Sequence, residues 1–197
     1  MKWELIPTEK IKPLEYVFPN HLKNLENQIL SDNVLKEPLI IDNKHFIVLD
    51  GSHRHIILLK NGFKYTPVIL VDYDNPHIRV GTHRIHRLII DEPVNISKKE
   101  VINRGRKGDL FPPRTTRHFF PFLRPKIEIP LEKLEKIKPV DVSKNIAQVD
   151  IKYEILNNKQ YINEIDEETE QLIHYLEENI HIKKYLLKQV VFMEENE

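Results

Sequence analysis

Short apolar runs alternate with turn residues over the first half of the chain. The runs 38–41 and 45–49 are mostly apolar and are separated by Asp42-Asn43-Lys44, a pattern that predicts two strands joined by a tight turn. The second strand leads directly into Asp50-Gly51. The pattern therefore predicts a β-hairpin whose second strand ends at a glycine turn.

The residues after this turn predict a helix and then a buried strand. The helix contains the apolar run 56–59 and continues to Asn61, after which Gly62 supplies a left-handed stop. The run 67–71 carries no charged residue, which is typical of a strand covered on both faces. A strand, a helix and a strand thus form the predicted centre of the fold.

Two more helices are predicted on either side of this centre. Apolar residues recur at helical spacing between 21 and 30. Ser97-Lys98-Lys99-Glu100 matches a capping box, so a second helix should begin there and end near Gly105 or Gly108. This second helix leads the chain to a polar cluster at 113–118.

Shorter segments fill the remainder of the first 140 residues. An extended run at 3–6 leads past Pro13 to Glu15, which we expect on a connection because proline disfavours regular structure. The run 127–129 predicts a strand, and 131–137 predicts a short helix before a proline break. Glu15 is therefore expected in a loop-like segment.

The last third predicts a small extension made of a hairpin and an amphipathic helix. Two strand-like runs flank Asn157-Asn158, and apolar residues at helical spacing cover 167–188. The whole chain thus predicts a mixed α+β fold. We expect a catalytic domain at 1–138 and a C-terminal extension at 139–197.

Composition narrows the possible functions. The 30 Lys and Arg balance the 30 Asp and Glu, so the chain lacks the global positive field that usually accompanies sequence-independent DNA binding. It has no cysteine, which excludes disulfides, thiol nucleophiles and thiolate metal sites. The first residues lack the apolar core of a signal peptide and no run reaches membrane-spanning length, so a cytoplasmic protein without membrane contact is expected.

The glycine turn at 50–54 has the features of a phosphate site. The backbone N–H groups of Gly51, Ser52 and His53 would converge at the start of a helix, and Arg54 would add positive charge. Asp50 at the end of the strand could ligate Mg²⁺ or accept a proton. The alternative is that Asp50 only caps the following helix.

The polar cluster at 113–118 allows more than one interpretation. Thr115, Thr116, Arg117 and His118 provide hydroxyl and cationic donors that could clamp phosphate oxygens. The same residues could form a solvated basic loop. Together with nearby basic residues they could also form a nucleic-acid patch; these residues are Arg104, Arg106, Lys107 and Arg114.

The histidines do not indicate a zinc site. His53 and His55, or His83 and His86, could contribute ligands, but neither pair has the spacing and intervening glutamate of a zinc hydrolase. No Walker phosphate loop or kinase glycine loop occurs either. The only metal expected is therefore one bound together with a phosphorylated ligand.

The segment 38–73, with Val48-Leu49-Asp50-Gly51-Ser52-His53-Arg54 inside it, resembles the ParB/sulfiredoxin-like domain. Within that superfamily the chain looks most like the free L-serine kinases, which carry an Asp-Gly-His-His-Arg motif and a Pro-Lys-Thr-Thr-Arg-His motif. Here the second motif reads Pro113-Arg114-Thr115-Thr116-Arg117-His118. The resemblance covers residues 3–90 and 97–131.

The resemblance implies a kinase that transfers the terminal phosphoryl group of ADP or ATP to the hydroxyl of free L-serine. The product would be O-phospho-L-serine for cysteine biosynthesis, and Mg²⁺ would accompany the nucleotide. By the same resemblance Glu15 is the general base and contacts the substrate. Asp50 would hold Mg²⁺ or assist the base.

The resemblance also implies the binding residues. His83, near the position of a family tryptophan, would line the serine pocket, and Ser52 replaces a family histidine. The nucleotide-binding residues implied are Gly51, Ser52, His53, Arg54, Thr115, Thr116, Arg117 and His118.

Two other functional classes remain as alternatives. A ParB-like nucleotide-dependent DNA-binding protein would use the same fold but normally reads Gly-Glu-Arg-Arg where this chain has Gly51-Ser52-His53-Arg54. A catalytically silent partner-binding protein is the other. A sulfiredoxin is excluded because its mechanism needs a cysteine.

The expected partners are L-serine and an adenine nucleotide rather than nucleic acid, and the oligomeric state is open, with a homodimer as one option.

Overall fold

The computed structural model describes residues 2–82, 96–113 and 115–147. Its contacts divide the chain into two units, Met1–Ala147 and Gln148–Glu197. The described residues belong to the first unit. The hairpin and helix predicted for the extension lie outside them.

The division between the units falls after the boundary predicted at 138. The Val142 side chain is buried in the core of the first unit. The carbonyl of Asn145 accepts a hydrogen bond from the Val17 N–H at 3.0 Å. Residues 139–147 thus pack on the first unit as a continuation of it.

Helices and strands are interspersed along the described residues, which confirms the predicted α+β class. The strands are β1 Glu4–Pro7, β2 Val34–Leu35, β3 Leu39–Asp42, β4 Val48–Asp50, β5 Tyr65–Val71, β6 Arg79–Thr82, β7 Thr116–Phe119 and β8 Ile129–Pro130. The α-helices are α1 Pro19–Asp32, α2 Ser52–Lys60 and α3 Lys98–Lys107. Single 3₁₀ turns occupy Thr8–Lys10, Leu131–Leu134 and Ser143–Asn145.

A four-stranded mixed sheet forms the centre, in the order β1-β5-β3-β4. β3 pairs antiparallel with β4, which confirms the predicted hairpin. β3 also runs parallel to β5, with α2 in the connection between them. The sheet therefore brings the end of β4 and the start of α2 to one edge.

Both faces of this sheet are covered. Leu39 and Ile41 belong to a core cluster with the apolar residues of α1 and α2. Ile40 belongs to a second cluster that includes Val101 of α3 and Phe111. Because successive strand residues point to opposite faces, β3 is buried along its whole length.

The predicted helix ends are found where local signals specify them. The hydroxyl of Ser97 accepts a hydrogen bond from the Glu100 N–H at 3.1 Å, so the capping box forms as predicted. Gly108 ends α3 with a left-handed φ of 70°. α1 is longer than predicted because Pro19 is accommodated at its first position and Asn33 ends it in the left-handed region.

The weaker sequence patterns were less informative. Thr116–Phe119 is the strand β7, paired antiparallel with β6, rather than a solvated loop. The strand predicted at 127–129 is the two-residue β8, which pairs with β2. The helix predicted at 131–137 is a 3₁₀ turn that stops at Glu135, whose φ is 51°.

Within the ranges that the structure describes, no helix combines the length and the apolar character needed to cross a bilayer.

Candidate active site

A cavity of about 400 Å³ opens where β4 ends and α2 begins. The first turns of α1 and the start of β7 contribute its other walls. It is lined by Glu15, His21, Leu25, Leu49, Asp50, Gly51, Ser52, His53, Arg54 and Thr116. Residues from both predicted phosphate motifs thus meet in one space.

Gly51 lines the cavity at the turn from β4 into α2. It caps α2 in the left-handed conformation, with φ 97° and ψ 28°. A Cβ at this position would lie 3.0 Å from Cγ of Leu39. Glycine therefore allows the strand to turn closely into the helix.

The start of α2 faces the cavity, in an arrangement that could bind an anion. α2 begins at Ser52, and the first N–H groups of an α-helix point out of its start. The helix dipole adds partial positive charge at the same end. Phosphate oxygens are suitable ligands for this arrangement.

Glu15 lies outside the named strands, in an isolated bridge with Phe111. The Tyr16 N–H donates to the Phe111 carbonyl at 2.9 Å, and the Phe111 N–H donates to the Leu14 carbonyl at 2.9 Å. These two bonds hold residue 15 beside the segment that precedes β7. The Glu15 residue is only 8% exposed.

The carboxylate of Glu15 is bound by Thr116. Oε1 accepts a hydrogen bond from the Thr116 N–H at 2.5 Å and another from the Thr116 hydroxyl at 2.6 Å. Two donors to one carboxylate oxygen fix the orientation of the carboxylate. A contact between residues 101 positions apart therefore sets the position of the predicted base.

Asp50 is held between two arginines. Its Oδ2 accepts from Nη2 of Arg54 at 3.0 Å, and its Oδ1 lies 3.3 Å from Nη2 of Arg124. Gly51 occupies the cap position of α2, and the cap has no side-chain hydrogen bond. Asp50 is thus an ion-paired carboxylate at the cavity and not a helix cap.

Arg54 has partners within the protein on both sides of its guanidinium. Nη1 donates to the carbonyls of Glu37 and Pro38, each at 3.0 Å, and lies 3.1 Å from Oε2 of Glu37. Nη2 is bound to Asp50. Arg54 therefore joins the segment before β3 to the start of α2.

His53 connects the start of α2 to the start of α1 beside the cavity. Its Nε2 accepts a hydrogen bond from the Phe18 N–H at 3.1 Å, which requires Nε2 to be unprotonated. Its ring meets the His21 ring edge to face, with centroids 4.5 Å apart. The start of α1 is thereby tied to the start of α2.

Among the described residues of the second motif, only Thr116 lines the cavity. The Thr115 hydroxyl donates to the Pro112 carbonyl at 2.7 Å, closing a turn. Arg117 is exposed, and its guanidinium lies 5.2 Å from the centre of the Phe119 ring. Because strand residues alternate, neighbours in the motif point in different directions.

His118 is a buried residue of the core beside the cavity. Its Nε2 is 2.9 Å from the hydroxyl of Tyr73, and its ring stacks on Phe120. Burial lowers the pKa of His118 to about 3, so its imidazole is neutral at physiological pH. It therefore offers no positive charge to a phosphate.

The remaining predicted site residues do not add a metal cluster. His55 is completely buried in α2, where burial lowers its pKa to about 4. His83, like Arg114, lies outside the described residues. Within the described residues, no group of three or more His, Cys, Asp or Glu is placed to hold a metal ion.

Sequence reasoning did not identify His21, Leu25 and Leu49 as cavity residues. His21 and Leu25 are one helical turn apart on α1, so the helix period indicates that they share a face. The sequence held no signal that this face meets α2. Leu49 precedes Asp50 and was predicted only as a strand residue.

No protein-family model matches this chain. It is 32% identical over 82 residues to an ATP-dependent L-serine kinase of Staphylothermus marinus, a match covering 40% of this chain and 32% of that protein. It is 33% identical over 78 residues to a ParB-like protein of Sulfolobus acidocaldarius, covering 34% of this chain and 39% of that protein. The matches thus span about a third of the first relative and about two fifths of the second.

A solved structure shares the fold. An alanine variant of a free serine kinase in complex with ADP superposes with a TM-score of 0.60 at 15% identity. The match covers 68% of this chain and 95% of that chain.

Proposed function

We propose that this chain is a kinase that transfers the terminal phosphoryl group of ADP or ATP to the hydroxyl of free L-serine. The observation that carries the proposal is the single cavity that joins Glu15 and Asp50 to the start of α2. A base, a second carboxylate and an anion-binding helix start are the parts that phosphoryl transfer to an alcohol needs.

The comparisons support the same choice of reaction. The relative from Staphylothermus marinus is an ATP-dependent L-serine kinase, and the free serine kinase that shares the fold was solved with ADP. The described residues that line the cavity lie in the first unit. The product, O-phospho-L-serine, would supply cysteine biosynthesis.

The nucleotide phosphates would bind at the first turn of α2. The backbone N–H groups of Ser52 and His53 would donate to their oxygens, and the helix dipole would favour the negative charge. Gly51 is needed here because a side chain would crowd Leu39 and disturb the turn. The serine hydroxyl would then lie between the terminal phosphate and Glu15.

In the reaction, Glu15 takes the proton from the serine hydroxyl as its oxygen attacks the terminal phosphorus. A new bond forms between serine Oγ and phosphorus, while the bond between phosphorus and the bridging oxygen of the nucleotide breaks. The departing AMP or ADP keeps that electron pair. Glu15 afterwards releases the proton to water.

Asp50 is the residue that would hold Mg²⁺, and the ion would replace the half-exposed Arg124 side chain beside Asp50 Oδ1. Mg²⁺ is commonly bound by one or two carboxylates together with substrate phosphates and water, so the lack of a larger ligand cluster in the described ranges is compatible with it. The Asp50 carboxylate lies on the cavity and is partly exposed. The ion would neutralise charge on the phosphates.

The test is phosphoryl transfer with ADP and with ATP in separate reactions containing L-serine and Mg²⁺. O-phosphoserine is detected by mass spectrometry. We expect product from the native chain, and a fall in kcat of about 100-fold or more in Glu15→Gln, since a general base contributes 10²–10⁴-fold. No product from the native chain with either nucleotide would overturn the proposal.

Two controls accompany this experiment. Glu9→Gln neutralises an exposed carboxylate of the 3₁₀ turn Thr8–Lys10, outside the cavity, and should keep native kcat. Calorimetric titration with ADP should give Glu15→Gln a native Kd. Loss of nucleotide binding in that variant would indicate a damaged site instead of a missing base.

A ParB-like nucleotide-dependent DNA-binding protein is the second candidate. The match to the ParB-like protein of Sulfolobus acidocaldarius favours it. The last turn of α3 offers a local basic group in Arg104, Arg106 and Lys107. Fluorescence anisotropy with duplex DNA, with and without nucleotide, tests it; nucleotide-dependent binding without serine phosphorylation would favour this function.

A further inference from the structure

We propose that Thr116 is a positioning residue for the base: its hydroxyl and N–H together orient the Glu15 carboxylate towards the substrate. This inference rests on the proposed function and deepens it. It gives Thr116 a task different from the phosphate contact that its motif implies.

The geometry of the contact supports this assignment. Both Thr116 donors reach the same oxygen of Glu15, at 2.5 and 2.6 Å. Two donors on one oxygen restrict rotation about the last side-chain bond of Glu15. The carboxylate plane is thereby held in one orientation at the cavity wall.

Thr116 is itself firmly placed. It begins β7, and its backbone pairs with Thr82 of β6. The turn before it is closed by Thr115, whose N–H and hydroxyl both donate to the Pro112 carbonyl. A donor fixed on a strand can define the position of its acceptor, whereas a donor on a mobile loop cannot.

The position of Glu15 needs such support because its own backbone lies in a short bridge. Glu15 pairs with Phe111 in an isolated bridge, outside the named strands. A side chain with three rotatable bonds on such a segment has several orientations. Misplacement of a catalytic group by about 1 Å can cost about 100-fold in rate, so an orienting partner matters.

The experiment compares Thr116→Val with Thr116→Ser. Valine keeps the branched shape and the backbone N–H but removes the hydroxyl, whereas serine keeps the hydroxyl. We measure kcat, KM for L-serine and the Kd of ADP. Thr116→Val should lower kcat by about 10- to 100-fold with the Kd of ADP unchanged, and Thr116→Ser should stay within a few fold of native.

The split between kcat and Kd separates positioning from phosphate binding. If Thr116 contacts phosphate, Thr116→Val raises the Kd of ADP and leaves kcat at saturation unchanged, which overturns the inference. Native values in Thr116→Val for all three quantities also overturn it. If the native chain itself transfers no phosphoryl group, the proposed function fails first, and the inference fails with it.

A matched control separates positioning from general loss of stability. Thr66→Val removes another buried hydroxyl from a strand, where Thr66 Oγ1 lies 2.9 Å from Thr8 Oγ1. It should lower Tm while kcat stays native. Thr116→Ala provides the same kinetic comparison if the valine variant fails to fold; a native kcat in that variant would contradict the inference.

Discussion

Gly51 shows how one backbone conformation can determine a site. Its φ of 97° lies where residues with a Cβ are strained. Its missing side chain also leaves room for the Leu39 side chain on β3. Both the start of α2 and its contact with the sheet therefore depend on glycine at this position.

The variant Gly51→Ala is expected to lose stability and nucleotide affinity together. The left-handed conformation alone costs about 1–2 kcal/mol, and the close approach to Leu39 adds to it. A shifted helix start would also aim its N–H groups away from the phosphates. Urea unfolding and calorimetric titration with ADP measure the two effects.

Gly108→Ala is the matched control for this change. Gly108 has a similar φ of 70°, but an added Cβ would meet no atom within 4 Å. It should therefore show the conformational cost alone and bind ADP as the native chain does. Equal losses of affinity in the two variants would contradict the role given to Gly51.

At the scale of elements, side-chain bonds between segments hold the cavity walls together. Arg54 connects the start of α2 to the segment before β3 through the carbonyls of Glu37 and Pro38. His53 connects the same helix turn to Phe18 at the start of α1. Each side chain bridges elements that are separate in sequence.

Arg54→Lys tests whether this arginine acts mainly as such a bridge. Lysine cannot reproduce the forked contacts to Asp50 and to the two carbonyls. We expect the free energy of unfolding of the nucleotide-free protein to fall by about 1.5–3 kcal/mol, the range for hydrogen bonds to charged groups. Native stability with weaker ADP binding would instead make Arg54 a phosphate ligand.

At the scale of the whole molecule, two neutral histidines are enclosed in the fold. Burial lowers the pKa of His55 to about 4 and that of His118 to about 3. In the unfolded chain both would titrate near pH 6.5. Between these values the unfolded state binds more protons than the native state does.

Stability should therefore rise with pH from about 4 to 6.5. Each histidine contributes about 1.4 kcal/mol per pH unit within its own window, and this contribution is lost as the pH falls below the unfolded pKa. Urea unfolding at pH 5 and pH 7.5 measures the slope. His55→Leu should reduce the slope by about 1.4 kcal/mol per pH unit within the His55 window, and an unaltered slope in that variant would contradict the assignment.

The parts of the fold that the sequence predicts well are those set by local signals. The β3–β4 hairpin is specified by its turn, and α3 is bounded by Ser97 and Gly108. The antiparallel pairing of β6 with β7 has no such signal, because the residues 79–82 show no clear alternation of apolar and polar side chains. Pairing partners far apart in sequence cannot be read from either strand alone.

The residues of the candidate site also fall into those that the sequence predicts and those that it does not. The glycine turn at 50–54 and Glu15 were identified from the sequence and do line the cavity. In the sequence, residues 113–118 form one continuous motif. Among the described residues of that motif, only Thr116 lines the cavity. Which of four neighbouring side chains faces the cavity depends on the strand alternation of β7, and that strand was not predicted.

The bond between Glu15 and Thr116 also has a consequence for synthesis of the chain. Glu15 leaves the ribosome about a hundred residues before its partner, since the two are 101 positions apart. Contacts of such long sequence separation form late because a large loop must close first. A nascent chain holding β1 to β5 would contain Glu15 and the glycine turn at 50–54 but would lack Thr116. If the chain is the proposed kinase, phosphoryl transfer would begin only after residue 116 has emerged and bound Glu15.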